Sequence, residues 1–150
     1  MDELITVRIK RVAGNEDLAL PRKMTEHAAG FDLAAAVKEA VVLGPGEIRL
    51  IPCGFCMAVP AGYEAQIRPR SGLAVKYGIT LINTPGTIDA DYRGEVQVPV
   101  INLGRQSFTI ERGMRIAQML IAPVPAVRMM EVEELDETAR GDGGFGHTGR

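Results

Sequence analysis

The chain has 150 residues, of which 46% are hydrophobic and 24% charged, with a formal net charge of -2. That is the balance of a water-soluble globular protein, large enough to bury roughly two-thirds of its unfolded surface without staples. It excludes a general nucleic-acid or membrane footprint, so an anion site has to be made locally from placed arginines and backbone N–H groups.

One domain is expected, with residues 1–139 as its body and connector and residues 140–150 as a separate tail. Met1-Asp2-Glu3-Leu4 is acidic and lacks the apolar run of a leader peptide. No stretch is long and apolar enough to span a bilayer. A cytoplasmic setting is therefore expected, and two cysteines suit a reducing compartment.

Ile5-Thr6-Val7-Arg8-Ile9-Lys10 alternates and reads as a first strand. A polar, proline-bearing connection follows from Asn15 to Lys23. Ala28 to Ala35 is apolar except for Asp32, which is costly if buried unpaired. Asp32 reads either as half of a salt bridge or as a site carboxylate. Val41-Val42-Leu43-Gly44-Pro45-Gly46-Glu47 reads as strand, tight turn and the start of another strand. Cys53-Gly54-Phe55-Cys56 is formally a redox motif, but such a motif needs a helix after its first cysteine. Here both flanks read as strand, so the cysteines are expected to be packing residues. Ala61 to Ile67 is a further strand. This succession of short strands split by Gly and Pro argues for an all-β fold.

Ser71-Gly72-Leu73-Ala74-Val75-Lys76-Tyr77 is the one helix candidate, with Ser71 as its N-cap and Gly78 as its stop. Arg68-Pro69-Arg70 leads directly into it. A guanidinium beside exposed helix N–H groups is a credible phosphate site, and equally an ordinary capped helix near surface arginines. Gly78 to Ile82 and Glu95 to Val100 read as strands. They are joined by one loop that holds Asn83, Pro85, Gly86, Asp89, Asp91, Tyr92 and Arg93. A plain connection needs none of that chemistry. Ser107 to Ile110 and Arg115 to Ile121 are two more strands, with polar Gln118 inside an apolar run. Val127 to Ala139 is an acidic, solvated connector. Arg140 to Arg150 carries five glycines with Arg140, Phe145 and His147. Such a tail cannot bury a core, but it can wrap a phosphate and stack a base.

Five segments together resemble the five ordered motifs of trimeric dUTP pyrophosphatases (dUTPases). They are Ala29–Leu33, Pro69–Ala74, Gly86–Gly94, Arg112–Gln118 and Arg140–Gly149. The resemblance implies a jelly-roll-like β-barrel with one short helix and a glycine-rich mobile tail. It implies a homotrimer with three shared sites. One subunit gives the phosphate-facing motifs, a second the nucleoside loop and a third the tail as a flap. The reaction implied is dUTP and water giving dUMP and pyrophosphate, with Mg²⁺ on the triphosphate. That chemistry keeps uracil out of DNA and supplies dUMP for thymidylate synthesis.

By the same resemblance, Asp89 is the general base. Arg70, Ser71, Gly72 and Gln118 hold the phosphate chain. Asn83, with Gly86, Thr87 and Ile88 of its loop, reads the uracil edge. Tyr92 packs on the deoxyribose and leaves no room for a 2′-OH. Phe145 stacks over the base, while Arg140, Gly144 and Gly146 enclose the terminal phosphates. Asp32 lies near the metal, acting through water or by steadying its neighbours. Met114, Phe31 and His147 depart from common forms of the motifs, at positions given no chemical role. Two other readings stand beside this one. A dCTP deaminase would share the fold but use a glutamate and lack the flap. A non-catalytic nucleotide-sensing trimer would have lost Asp89 or Arg140, and both are present.

Overall fold

The Glu95 to Val100 alternation becomes the buried face of a long strand in the computed structural model, which describes residues 4–149. In chain order the elements are β1 (Arg8–Arg11), β2 (Phe31–Ala34), β3 (Val41–Leu43), β4 (Ile48–Ala58), β5 (Tyr63–Pro69), α1 (Ser71–Tyr77), β6 (Ile79–Leu81), β7 (Gly86–Ile88), β8 (Glu95–Asn102), β9 (Phe108–Ile110) and β10 (Arg115–Pro123). Val96, Val98 and Val100 of β8 are fully buried, while Gln97 between them is exposed. This period of two is what lets one face of a strand enter a core.

Two four-stranded sheets, ordered β1-β4-β8-β6 and β2-β10-β5-β7, are joined by a two-stranded β3-β9 sheet. Every pairing is antiparallel. The core lies between the sheets and includes Leu33, Leu43, Ile51, Ile79, Ile110 and Ile116. The fold is all-β and jelly-roll-like. Its sheets pack face to face without closing into one continuous ladder among the described residues. No helix among the described residues is long and apolar enough to cross a membrane.

The first strand starts later than Ile5, at Arg8, because its partner β4 ends at Ala58, opposite Arg8. Cys53 and Cys56 lie within strand β4 as free thiols. Burial, with the Glu95 charge adding to it, pushes the Cys53 thiol up to about 12. A thiol so held stays protonated and unreactive, as a packing cysteine should.

The single loop expected between residues 82 and 95 is in fact interrupted. The chain leaves the first sheet after β6, forms β7 on the edge of the second sheet beside β5, and returns as β8. The Thr84–Pro85 peptide is cis. Gly86 does not take a positive φ. It sits in a close approach instead. A Cβ there would lie 3.2 Å from Asn83 Nδ2 and 3.5 Å from Ile67 Cβ.

Two polar clamps hold the connections. Buried Asn102 donates from Nδ2 to the carbonyls of Leu43 and Gln106, each at 2.8 Å, and accepts the Gly104 N–H at 2.8 Å. Asn102→Ala would strand these backbone groups, at about 1–3 kcal/mol each for those kept from water. We expect a loss of about 3 kcal/mol in urea unfolding at unchanged slope. Arg112 reaches Asp17 at 2.7 Å, Gly14 O at 3.0 Å and Val37 O at 3.2 Å, and so fixes the 14–18 loop to the turn before β10. Its hydrogen bond holds the exposed Asp17 carboxyl below its ordinary range.

Candidate active site

Asp89 follows directly after β7, so the strand end aims it. The Tyr92 N–H donates to Asp89 O at 3.2 Å, closing a turn over residues 89–92. Arg93 braces that turn from within, donating to the carbonyls of Ala90 (2.6 Å) and Tyr92 (2.9 Å). The Asp89 side chain is exposed and in no ion pair among the described residues. A carboxylate so placed is open to a water molecule and a ligand.

A cleft of about 340 Å³ opens at this point. Asn83, Thr87, Ile88, Asp89 and Tyr92 line it, with Leu50, Glu95, Gln97 and Pro99 as further wall. Five residues singled out from sequence thus meet in one cavity, and Gly86 sits in the strand beneath them. The wall residues were not foreseen. Leu50, Gln97 and Pro99 belong to β4 and β8 and carry no motif of their own.

A second group surrounds the end of β5. Asp32 of β2 lies opposite Gln118 of β10 in the ladder. Its Oδ2 accepts from Arg115 Nη1 at 2.9 Å and lies 3.9 Å from Arg70 Nε. Arg70 Nη1 donates to Arg115 O at 2.9 Å. Gln118 Nε2 donates to Pro69 O at 3.0 Å, which directs the amide to the approach of α1. Gly30 makes room for it, since a Cβ there would lie 2.6 Å from Gln118 Oε1. Arg115 was not foreseen as a site residue. In sequence it looks like an ordinary outward charge at a strand start.

The helix spans Ser71–Tyr77 and ends on Gly78 at φ 70°, as expected. Its N-cap, however, is Arg70 rather than Ser71, and no side chain caps it. Arg70 holds the extended backbone of a cap (φ -92°, ψ 127°), which moves Ser71 into the first turn. Ser71 and Gly72 are exposed there, directly after Arg70 in the chain. N–H groups, a hydroxyl and a guanidinium in one short segment, with the Gln118 amide at Pro69, suit an anion of several oxygens.

No group of three or more His, Cys, Asp or Glu among the described residues could hold a metal ion. Asp32 is the nearest carboxylate to the phosphate-facing group, and its oxygen already faces two arginines. A divalent ion fits here only if its other ligands come from a polyphosphate.

The third group stands apart. Arg140, Gly144, Phe145 and Gly146 lie in an exposed tail whose hydrogen bonds are local. Arg140 Nε donates to Gly143 O at 2.8 Å. Phe145 is fully exposed, with φ 48°. An aromatic ring held wholly in water by its own chain has an apolar face left to bury.

Known proteins resemble this chain in both sequence and fold. A family model described as dUTPase matches residues 16–149. The chain is 60% identical over 145 residues to a deoxyuridine 5'-triphosphate nucleotidohydrolase of Caldanaerobacter subterraneus subsp. tengcongensis, covering 97% of this chain and 98% of that one. It is 60% identical over 134 residues to the protein of that name from Desulfotalea psychrophila, covering 89% of each. Its fold is similar to that of Staphylococcus bacteriophage 80alpha dUTPase with dUPNHPP, at a TM-score of 0.86 and 28% identity, over 97% of this chain and 99% of that one.

Proposed function

The chain belongs to the dUTPase family, and from that premise we propose that it hydrolyses dUTP to dUMP and pyrophosphate by attack of water on the α-phosphorus. The observation that carries this reading is the cleft in which Asp89, Asn83 and Tyr92 meet. Asp89 orients a water and takes its proton as it attacks. Asn83, with backbone groups of β7, pairs with the uracil edge. A site built on hydrogen bonds can reject a wrong base by up to ~10⁴–10⁵, because mispairing strands buried polar groups. Arg70, Ser71, Gly72 and Gln118 take the phosphate chain. Arg140 and the glycine N–H groups at Gly144 and Gly146 close on its end, and Phe145 covers the base.

Phosphoryl transfer asks mainly for positioning and neutralisation of charge. When bound, Mg²⁺ would supply part of that neutralisation, with the triphosphate and, through water, Asp32 holding it. The setting we propose is the cytoplasm, where two free thiols persist.

The cleft's lining holds neither the arginine and helix-start residues nor any tail residue, and the tail's own hydrogen bonds are local. A homotrimer with shared sites unites the three groups: one subunit's cleft, another's phosphate-facing edge and a third's tail.

Pyrophosphate release measured over a panel of nucleoside triphosphates, with and without Mg²⁺, tests the reading. We expect release from dUTP alone, dependent on the metal. Ammonia release from dCTP would instead identify a deaminase on the same fold. Tyr92→Ala should open the sugar side of the cleft and raise kcat/KM for UTP relative to dUTP by about 10- to 100-fold. Steady-state kinetics on the two substrates checks this, and an unchanged ratio would remove Tyr92 from the sugar site.

A further inference from the structure

One residue lining the cleft, Glu95, carries a carboxylate that the proposed reaction does not use. Glu95 begins β8 and is half-buried. Between the ladder pairs Pro52↔Gln97 and Cys56↔Glu95, three β4 residues (Cys53, Gly54 and Phe55) face one β8 residue, Val96. β4 therefore bulges away from β8 at this point. Gly54 at the centre is buried, with φ 76°, and a Cβ there would lie 2.9 Å from Asn15 Cγ and 3.0 Å from Ala36 Cβ. The bulge takes the Gly54 N–H out of the regular ladder. Glu95 Oε1 accepts that N–H at 3.0 Å.

The other end of Glu95 faces the ligand cleft. Its backbone carbonyl accepts the Tyr92 hydroxyl at 3.0 Å. Between the two lies Gly94, where a Cβ would collide with the Tyr92 ring and hydroxyl. The ring is thus laid against bare backbone and tied to a carbonyl. That carbonyl belongs to a residue anchored on β4 by its own side chain.

We propose that Glu95 is a positioning residue for sugar selection: its carboxylate ties the Gly94–Glu95 backbone to the β4 bulge and so sets how close the Tyr92 ring stands to the deoxyribose. This rests on the reading that Tyr92 packs on the sugar. Without the tie, the ring can move outward and admit a 2′-OH.

The test compares kcat/KM for dUTP and UTP in wild type, Glu95→Ala, Glu95→Gln, Glu95→Asp and Tyr92→Ala, with thermal unfolding of each. Glu95→Ala should cut the dUTP/UTP ratio by about tenfold, the scale of a small misfit in a pocket. Glu95→Asp keeps the charge but falls one methylene short of Gly54, and should relax the ratio too, so it carries the test if the Ala variant does not fold. Glu95→Gln still offers an oxygen to the Gly54 N–H and should restore the ratio. A purely structural Glu95 would lower the unfolding temperature and leave the ratio at its wild-type value. That result, with Tyr92→Ala relaxed, overturns the proposal alone. Loss of selectivity in Glu95→Gln as great as in Glu95→Ala also overturns it. A wild-type ratio in Tyr92→Ala removes the sugar-packing reading and the proposal with it.

Discussion

Asp89→Asn is expected to lower turnover by about 10²–10⁴-fold, the usual contribution of a positioned general base. The substitution keeps the shape of the side chain and one oxygen that can still orient water. It removes the ability to take a proton. Nucleotide binding should survive, because Asn83, Tyr92 and the phosphate-facing residues are untouched. Stability should survive as well. Asp89 is exposed and in no ion pair among the described residues, and surface changes of that kind are usually worth less than ~0.5 kcal/mol. Loss of activity therefore cannot be assigned to loss of fold. Single-turnover pyrophosphate release, with calorimetric binding of a non-hydrolysable dUTP analogue, separates the two quantities. Turnover near wild type would show that the base lies elsewhere.

What the sequence displayed, and what it concealed, follows from the range of each interaction. β8 was legible because its alternation runs over several residues and buries Val96, Val98 and Val100 together. The helix was legible from Ser71 to Gly78 because a glycine stop is a local device. Its cap was missed by one residue, as helix boundaries commonly are. β7 went unseen because three residues, Gly86–Ile88, are too few to show a period. Its strand character comes from β5, which no local pattern announces.

The site divided along the same line. Asp89, Asn83 and Tyr92 stand close in sequence and could be read as a unit. Arg115, Arg112 and Glu95 could not. Arg115 meets Asp32 across 83 positions, Arg112 meets Asp17 across 95, and Glu95 meets Gly54 across 41. An isolated charge at a strand end looks solvated until its distant partner is known. Asp32 shows the converse. Its cost among apolar residues was visible, but not that two arginines would meet it.

Removing residues 140–150 should leave the body folded and nearly abolish catalysis. The tail's hydrogen bonds are local and Phe145 buries nothing on its own chain, so thermal unfolding should not shift. The loss at the site is large. Stacking on a base is worth about 1–3 kcal/mol and a charged hydrogen bond from Arg140 about 1.5–3 kcal/mol. Together these predict a fall in kcat/KM of about 10²–10⁴-fold, since about 1.4 kcal/mol is a factor of ten. A truncated chain that unfolds would show the tail to be structural. The same variant tests where the tail acts. Truncated subunits keep Asp89, and Asp89→Asn subunits keep the tail, so neither alone builds a working site. If the tail served its own chain's cleft, co-folded mixtures of the two would stay inactive. If it crosses to another subunit, mixed trimers contain clefts with an intact Asp89 under an intact tail, and activity returns in proportion to their number. Recovery on co-folding, absent when the two are mixed after assembly, is the outcome we expect of a cleft whose lining holds no tail residue of its own chain.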